Sequence, residues 1–305
     1  MGFVFLTILL GLIPSFLMVA LGGLVRNRLS VNAWQGLDKL NFEILFPALL
    51  FVAASSRQIE LSAVGTIAPA VCAILICGLA FGYLARRFGP DSFLDFAGAW
   101  QISWRFNSAL GFAAVETLSY ADPALMAVVI GLAVPVANVF AVSALSRGGS
   151  LGLWGTIRKV AMNPFLLASL SGVMVGLSGS KVPDPIMAPL SMLAQAAIPI
   201  ALISIGATMN WHALARLNRF SATICATKLL VLPVSVVSAA LVMGWSGPVV
   251  GALVVFAALP TASAAHVLAA GFGADRELVA TLIAQTTLLS AVTLPVWISL
   301  AELLF

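Results

Sequence analysis

Residues 256–273 read FAALPTASAAHVLAAGFG, an apolar run whose centre carries Pro260, Thr261, Ser263 and His266. Proline lacks the backbone donor of its turn and clashes with the carbonyl one turn earlier, so it predicts a kink or a break. Within hydrocarbon, the carbonyls freed in this way need partners or a cavity. Either the hydroxyls of Thr261 and Ser263 repair a simple kink, or the segment is a true interruption that lines a polar site.

The amino-acid composition indicates whether this chain lies in water or in a lipid bilayer. Its 305 residues are 61% hydrophobic and 9% charged, and the mean hydropathy is +1.10. Soluble domains carry roughly 45–50% apolar and about 25% charged residues. The sequence therefore predicts an integral membrane protein and argues against a nucleic-acid-binding protein. Cys72, Cys77 and Cys225 lie in apolar runs without metal-like spacing, which is typical of small buried side chains.

The hydrophobic pattern predicts an all-α membrane protein of ten spans. A span needs about 20 mostly apolar residues. By that length the spans fall near residues 3–25, 36–55, 62–85, 95–117, 124–145, 161–179, 186–208, 219–243, 247–272 and 278–301. The first lacks a basic segment before it, so it is interpreted as a span rather than a cleaved signal peptide.

The basic residues predict the orientation. With the N-terminus outside, eleven Lys and Arg residues fall on the cytoplasmic side and only Arg57 and Lys181 fall outside. The eleven are Arg26, Arg28, Lys39, Arg86, Arg87, Arg147, Arg158, Lys159, Arg216, Arg219 and Arg276. Positive charge favours the cytoplasmic side. We therefore expect a multi-pass plasma membrane protein, in a bacterium an inner membrane protein, with both termini outside.

An even number of spans with both termini on one side suggests two halves of five, inserted in opposite orientations. The predicted halves are residues 1–146 and 161–305, joined by a short cytoplasmic linker at 147–160. In support, Glu43 precedes Pro47 by four residues in the second span, and Gln195 precedes Pro199 by four in the seventh.

The fourth span would be the counterpart of the segment around Pro260. It reads QISWRFNSALGFAAVETL and carries Arg105, Asn107, Ser108 and Gly111. It has no proline, so a break there would rest on Asn107 and Gly111, which are poor residues for a helix interior. An arginine inside a span faces protein, water or a ligand, or snorkels to the interface. If both helices are interrupted, the N-termini of their second halves direct positive dipoles at one point, which suits an anion.

Other polar residues in the spans have two interpretations each. Asn41, Glu43 and Gln195 are candidates for proton coupling or for lining a cavity, and the alternative is a polar helix end. Lys228 is more typical of a snorkelling or paired residue than of a ligand. Asn138 and the run Gln285–Thr287 suit hydrogen bonds between helices. The spacing of Gly78 and Gly82 favours close helix packing.

Several stretches together resemble the auxin efflux carrier family of membrane transporters over essentially the whole length. The stretches are LFPALLFVAAS in the second span, RFNSALGFA in the fourth, VPVANVFAVSAL in the fifth, NPFLLASLSG in the sixth, PIALISIGATM in the seventh, and ALPTASAAHVLAAGFGAD followed by TLIAQTTLLSAVTLPVW at the end. Each is loose alone, and their order and spacing together are fairly specific.

The resemblance implies two inverted five-helix repeats, in an architecture related to the bile-acid/sodium symporters. Helices one, two, six and seven would form a scaffold, and the others an elevator-type transport domain in which broken helices four and nine cross. Asn107 and Gly111 would lie at the first break, and Pro260, Thr261 and Ser263 at the second. Relatives often have a proline after the Gly–Phe pair of helix four, where this chain has Ala113. The short linker favours a bacterial carrier over a plant one.

The sequence therefore predicts a secondary carrier of small organic anions, such as malate, malonate or auxin-like carboxylates. The candidate substrate-binding residues are Arg105, Asn107, Ser108, Gly111, Pro260, Thr261, Ser263 and His266, with helix breaks at Gly111 and Pro260. No cofactor or metal is expected, and the coupling ion, H⁺ or Na⁺, stays open. The expected partners are the anion, the bilayer and, as a candidate, a second copy of the chain.

Two alternatives follow from the same residues. One is a sodium-coupled anion symporter of the bile-acid type, although few acids are present to form a sodium cage. The other is an intramembrane enzyme, a channel or a sensor. An enzyme is not expected, because His212 and His266 are accompanied by no HExxH, GxSxG or paired acidic motif.

Overall fold

The protein was analysed as a computed structural model, which describes residues 2–55, 61–119, 122–146, 162, 164–208, 211–212, 215, 217–262 and 264–305. The predicted linker at 147–160 and Ser263 lie outside the described residues. The described residues are helical and include no strand. Helices satisfy their backbone hydrogen bonds internally, which is what a hydrocarbon environment requires.

Fourteen α-helices lie within the described ranges. They are α1 (Gly2–Val25), α2 (Val31–Leu40), α3 (Phe46–Ser55), α4 (Leu61–Tyr83), α5 (Phe93–Trp100), α6 (Ser108–Val115), α7 (Pro123–Leu145), α8 (Pro164–Ser178), α9 (Asp184–Thr208), α10 (Arg219–Ala226), α11 (Leu232–Met243), α12 (Pro248–Ala258), α13 (Ala264–Phe272) and α14 (Arg276–Leu304). Five-residue π-helical turns join α2 to α3 (Asn41–Leu45) and α10 to α11 (Thr227–Val231).

Capping residues explain several of these boundaries. Ser92, Asn107 and Asp275 stand at N-cap positions, and the side chain of each accepts a hydrogen bond from a backbone N–H of the first turn. Such caps satisfy donors that the helix itself cannot. At the other end of α11, Gly244 adopts a left-handed conformation with φ of 66°, which a glycine accommodates at little cost.

Five helical segments in the described ranges are long and apolar enough to cross a membrane. They are Gly65–Phe88, Pro123–Leu145, Asp184–Thr208, Arg219–Met243 and Arg276–Leu304. These overlap the predicted third, fifth, seventh, eighth and tenth spans. The all-helical membrane fold is thereby confirmed, and the total of ten spans stays a prediction.

Small residues bring α4 against the centre of the molecule. A Cβ added at Gly78 would lie 2.7 Å from the carbonyl oxygen of Ser103, and one added at Gly82 would overlap the Ser103 side chain. The two glycines therefore let α4 lie directly on the segment that follows α5. This confirms the interpretation of their spacing as a close-packing motif.

An aromatic cluster fixes the same segment from the other sides. Phe96 stacks on Trp100 with 5.5 Å between ring centroids, and Trp100 meets Trp104 edge-on at 5.1 Å. The indole N–H of Trp100 donates to the Leu79 carbonyl in α4, and that of Trp104 donates to the Ala137 carbonyl in α7. The end of α5 is thus held between α4 and α7 by packing and by satisfied polar groups.

Candidate functional site

The predicted fourth span is interrupted in the structure. Helix α5 ends at Trp100, a 3₁₀ turn covers Gln101–Ser103, and α6 begins at Ser108. Asn107 has an extended backbone, with φ of −94° and ψ of 103°, and its Oδ1 accepts from Leu110 N at 3.2 Å. Asparagine competes for backbone groups in this way and favours N-cap positions over helix interiors. The break therefore forms without a proline.

Of the two residues expected at the first break, Asn107 lies at it and Gly111 does not. Gly111 was expected to mark it, but Gly111 lies inside α6, and its N–H donates to the Asn107 carbonyl at 3.0 Å. That helix is already capped by Asn107, so its backbone continues through the glycine. Gly111 instead allows a close approach, because an added Cβ would lie 3.0 Å from Leu259 Cδ1. Its prediction as a helix break is wrong.

The second interruption falls at Pro260. Helix α12 ends at Ala258, and Leu259 is extended, with ψ of 140°. A residue before proline is pushed into this conformation by the proline ring. Helix α13 begins at Ala264. The sequence FAALPTASAAHVLAAGFG thus spans the end of α12 and the whole of α13, with residues 259–262 outside any helix, and is not a single kinked helix.

The two interruptions cross and satisfy each other's backbone. Asn107 N donates to the Pro260 carbonyl at 2.8 Å. The Thr261 hydroxyl, which is fully buried, donates to the Ile102 carbonyl at 2.7 Å and lies 3.3 Å from that of Arg105. These contacts supply the partners that broken helices need away from water. We refer to residues 101–107 and 259–262 as the crossover.

Two further contacts join the crossover to its neighbours. Gln101 Nε2 donates to the Ala265 carbonyl in α13 at 3.1 Å. Thr261 N lies 3.5 Å from the Thr286 hydroxyl of α14. The Thr286 contact agrees with the interhelical role predicted for the run 285–287. The linking role of Gln101 was missed, and the only sequence signal for it is an amide within an apolar span.

Arg105 places a buried positive charge in the first interruption. Its side chain is 9% exposed, and Nη2 donates to Asn138 Oδ1 of α7 at 2.7 Å. The buried polar side chains of the described residues include no carboxylate. A guanidinium held by one neutral amide retains most of its charge for a further partner. Asn138 bonds between elements as predicted, and its partner is this arginine.

Three polar side-chain atoms of the first interruption have unused hydrogen-bonding capacity. Gln101 Oε1, Ser103 Oγ and Arg105 Nε are buried and have no hydrogen-bond partner. Buried polar atoms are usually paired, so each of the three needs an explanation such as water or a bound ligand. Of the three, Arg105 Nε is the donor that belongs to a buried charge, which suits an anionic ligand.

The crossover is enclosed in this conformation. Thr261 and Trp104 are fully buried, and the ring of Phe106 meets that of Phe256 edge-on at 4.7 Å between centroids. An apolar depression of about 390 Å³ lies elsewhere, between α4 and the α10–α11 segment. It is lined by Phe81, Leu84, Ala222, Thr223, Ala226, Thr227 and Val231. The described crossover side chains are thus mostly buried, and the depression does not include them.

The remaining substrate-site candidates lie near the crossover at different depths. Ser108 is half-buried and begins α6. His266 is half-buried on α13, more than one turn beyond Pro260. Ser263 lies outside the described residues. The structure therefore brings Arg105, Asn107 and Thr261 together, with Ser108 and His266 at the periphery.

The candidates for proton coupling do not form a group with the crossover. Asn41 is buried and donates through Nδ2 to the Ala197 carbonyl of α9 at 3.0 Å. The exposed Glu43 carboxylate lies 3.9 Å from Lys39 Nζ, and Gln195 is also exposed. Asn41 thus joins the second predicted span to the seventh, while Glu43 and Gln195 lie on the outer surface of the described structure.

Comparison with known proteins identifies the class. A family model described as membrane transport protein matches residues 153–298. The chain is 28% identical over 312 residues to a protein of Rhizobium meliloti named "Putative malonate transporter", covering 92% of each chain. It is 26% identical over 295 residues to an uncharacterized transporter of Methanothermobacter thermautotrophicus, covering 93% of this chain and 95% of that one.

Residues 153–298 match the family model of membrane transport proteins, and both relatives are named as transporters, which indicates a transporter and not an enzyme. These matches confirm the resemblance to the auxin efflux carrier family.

Proposed function

We propose that this protein is a secondary carrier of small organic anions, with carboxylates as the substrate class, and that the anion binds at the crossover. The observation that carries the proposal is Arg105, a buried guanidinium inside the first interruption with one neutral partner and no carboxylate. Burial of an unpaired charge costs roughly several kcal/mol, so we expect such a group to bind a counter-ion.

The helix ends around Arg105 support an anionic ligand. Both α6 and α13 begin at the crossover, and the N-terminus of a helix carries a partial positive charge. Discontinuous helices in transporters use such ends to bind the carboxylate of a substrate. The relative from Rhizobium meliloti, whose printed name refers to malonate, agrees with this class of ligand.

The enclosed crossover also favours a carrier over an open pore. We propose alternating access in which the crossover moves with a transport domain against a scaffold containing α1, α2, α3, α8 and α9. We also propose that the motion is of the elevator type and that the chain forms ten spans in two inverted repeats, with both termini outside. The proposed location is the bacterial inner membrane, and the proposed assembly is a homodimer.

The decisive experiment is transport by the purified full chain in proteoliposomes. Labelled malonate and malate are offered on one side, with auxin-like indole carboxylates and neutral dimethyl malonate as comparators. Saturable movement of the carboxylates, absent from empty vesicles and not shared by the neutral ester, is expected. No transport of any acid by folded protein contradicts the proposal, and large unitary currents indicate a channel instead.

Ion replacement in the same vesicles decides the coupling. A sodium gradient and a pH gradient are imposed separately, with choline replacing sodium at constant ionic strength. We propose that the carrier has no metal cofactor and that its coupling ion is H⁺ or Na⁺. Acceleration by the sodium gradient alone would favour the bile-acid type of symport, whereas acceleration by the pH gradient alone would favour proton linkage.

A further inference from the structure

A second buried cation lies beside the crossover. Lys228 belongs to the π-helical turn Thr227–Val231, and its side chain is 1% exposed. Its ammonium donates to the carbonyl oxygen of Ala257 at 3.4 Å. π-turns are rare and occur frequently at functional positions. Among the described residues, Lys228 is buried and forms no ion pair, whereas its position in the sequence had favoured a snorkelling or paired side chain.

The carbonyl that Lys228 contacts belongs to the broken end of α12. In an uninterrupted helix, Phe256 and Ala257 would accept from residues 260 and 261. Residue 260 is a proline without an N–H, and Leu259 N takes the Phe256 carbonyl instead, at 3.3 Å. The Thr261 backbone N lies 3.5 Å from the Thr286 hydroxyl oxygen. The Ala257 carbonyl thus lacks its helical donor, and the ammonium takes that place.

The positive charge of Lys228 also suits a position at the C-terminal end of α12. The C-terminal end of a helix carries a partial negative charge, so a cation there is stabilised. In transporters, the unwound carbonyls and C-terminal ends of half-helices are the places where coupling cations bind. Here the place is filled by a side chain of the chain itself, with no carboxylate among the buried polar side chains of the described residues.

We propose that Lys228 is a positioning residue that acts as a built-in cation at the end of α12. It holds the second interruption of the crossover in shape, and it removes the need for a metal cation from solution at that point. The inference deepens the proposed function, because it concerns coupling at the same crossover. It depends on the geometry of α12 and not on which anion is carried.

The test is the thermal stability of the purified full chain in detergent, with sodium chloride compared with choline chloride at equal ionic strength. The variants are Lys228→Met, which removes charge and donor, and Lys228→Arg, which keeps both. Lys39→Met, at an exposed lysine, is the matched control. The wild type and Lys39→Met should melt at the same temperature in both salts. Lys228→Met should melt about 5 °C lower in choline and recover in sodium.

Several results would overturn the proposal. One is selective stabilisation of the wild type by sodium, and another is Lys228→Met that is as stable as the wild type. Equal loss in both salts would reduce Lys228 to an ordinary packing residue. If Lys228→Met cannot be purified, Lys228→Arg is the deciding variant. A melting temperature near that of the wild type and independent of the salt supports the role of charge. Failure to obtain folded Lys228→Arg contradicts that role. A wild type that carries no carboxylate would remove the proposed substrate and leave these results standing.

Discussion

Asn107 and Pro260 are joined directly, because the backbone N–H of the first donates to the carbonyl of the second at 2.8 Å. At the same time, the side chain of Asn107 caps α6 through Leu110 N. One residue therefore ends the first interruption and ties it to the second. The backbone bond survives substitution of the side chain, so the capping role of Asn107 can be tested by itself.

Asn107→Ala should lower both stability and anion affinity. The loss of an N-cap costs about 1 kcal/mol, and the first turn of α6 would lose the alignment of its N–H groups. Thermal melting with and without malonate measures both effects. Asn218→Ala is the matched control, because Asn218 caps α10 in the same way, through Ser221 N at 2.9 Å. An equal loss of malonate binding in both variants would show that Asn107 has no special role in the site.

Thr261→Val should weaken the crossover while keeping the shape of the side chain. The hydroxyl donor to the Ile102 carbonyl would be lost, which costs about 1–3 kcal/mol when a buried acceptor is left unpaired. A fall in melting temperature together with slower transport is expected. Thr223→Val is the control, since that exposed hydroxyl donates only within its own helix, to Arg219. If the two variants behave alike, the link through Thr261 does not matter.

Arg105→Gln should reduce anion affinity by roughly tenfold or more, because a charge-assisted contact is worth more than about 1.4 kcal/mol. Arg105→Lys keeps the charge but lacks the planar fork that fits a carboxylate, so its affinity should be intermediate. Binding of labelled malonate to the purified variants measures the series. Arg28→Gln, at an exposed arginine, should bind as the wild type does. Unchanged affinity in Arg105→Gln would place the anion elsewhere.

Gly82→Ala should destabilise the protein by about 1–3 kcal/mol, since overpacking forces neighbours to move. The added methyl group would overlap the Ser103 side chain in the first interruption. Gly65→Ala lies on the same helix and meets nothing within 4 Å, so it should be neutral or slightly stabilising. Melting temperatures of the two variants provide the comparison. Equal stability would mean that α4 does not lie against Ser103.

Glu43→Gln tests the proposed proton linkage. If Glu43 changes charge during transport, its replacement should flatten the pH dependence of malonate uptake. Its exposed pairing with Lys39 contributes less than about 1 kcal/mol, so the melting temperature should change little. Lys39→Gln breaks the same pair and should keep the pH dependence. A Glu43→Gln carrier with the pH profile of the wild type would exclude this carboxylate from coupling.

The sequence indicated the two interruptions unequally well. Pro260 could be placed because a proline leaves a local and unambiguous mark on a helix. The first break was expected at Asn107 and Gly111, and only Asn107 lies at it, as the N-cap of α6. Asn107 carries the local part of the signal, because its side chain caps α6. The contact between the Trp104 indole and the Ala137 carbonyl of α7 joins distant segments, and propensity within the segment does not encode it.

The candidate site shows the same division. Composition and spacing were enough to identify Arg105 and Thr261 as polar residues at unusual positions. Their partners, Asn138 and the Ile102 carbonyl, depend on how helices pack. Lys228 is the extreme case, because the sequence reveals only the cost of burying it. The carbonyl it contacts becomes available only when Pro260 ends α12.

The hydrogen bond between the Thr261 hydroxyl and the Ile102 carbonyl joins residues that are synthesised at different times. Ile102 is synthesised long before Thr261, so its carbonyl lacks this donor until the later residue has been made. The crossover is completed only when residues 259–262 reach residues 101–107. A chain that stops short of Pro260 therefore leaves the Ile102 carbonyl without the Thr261 hydroxyl.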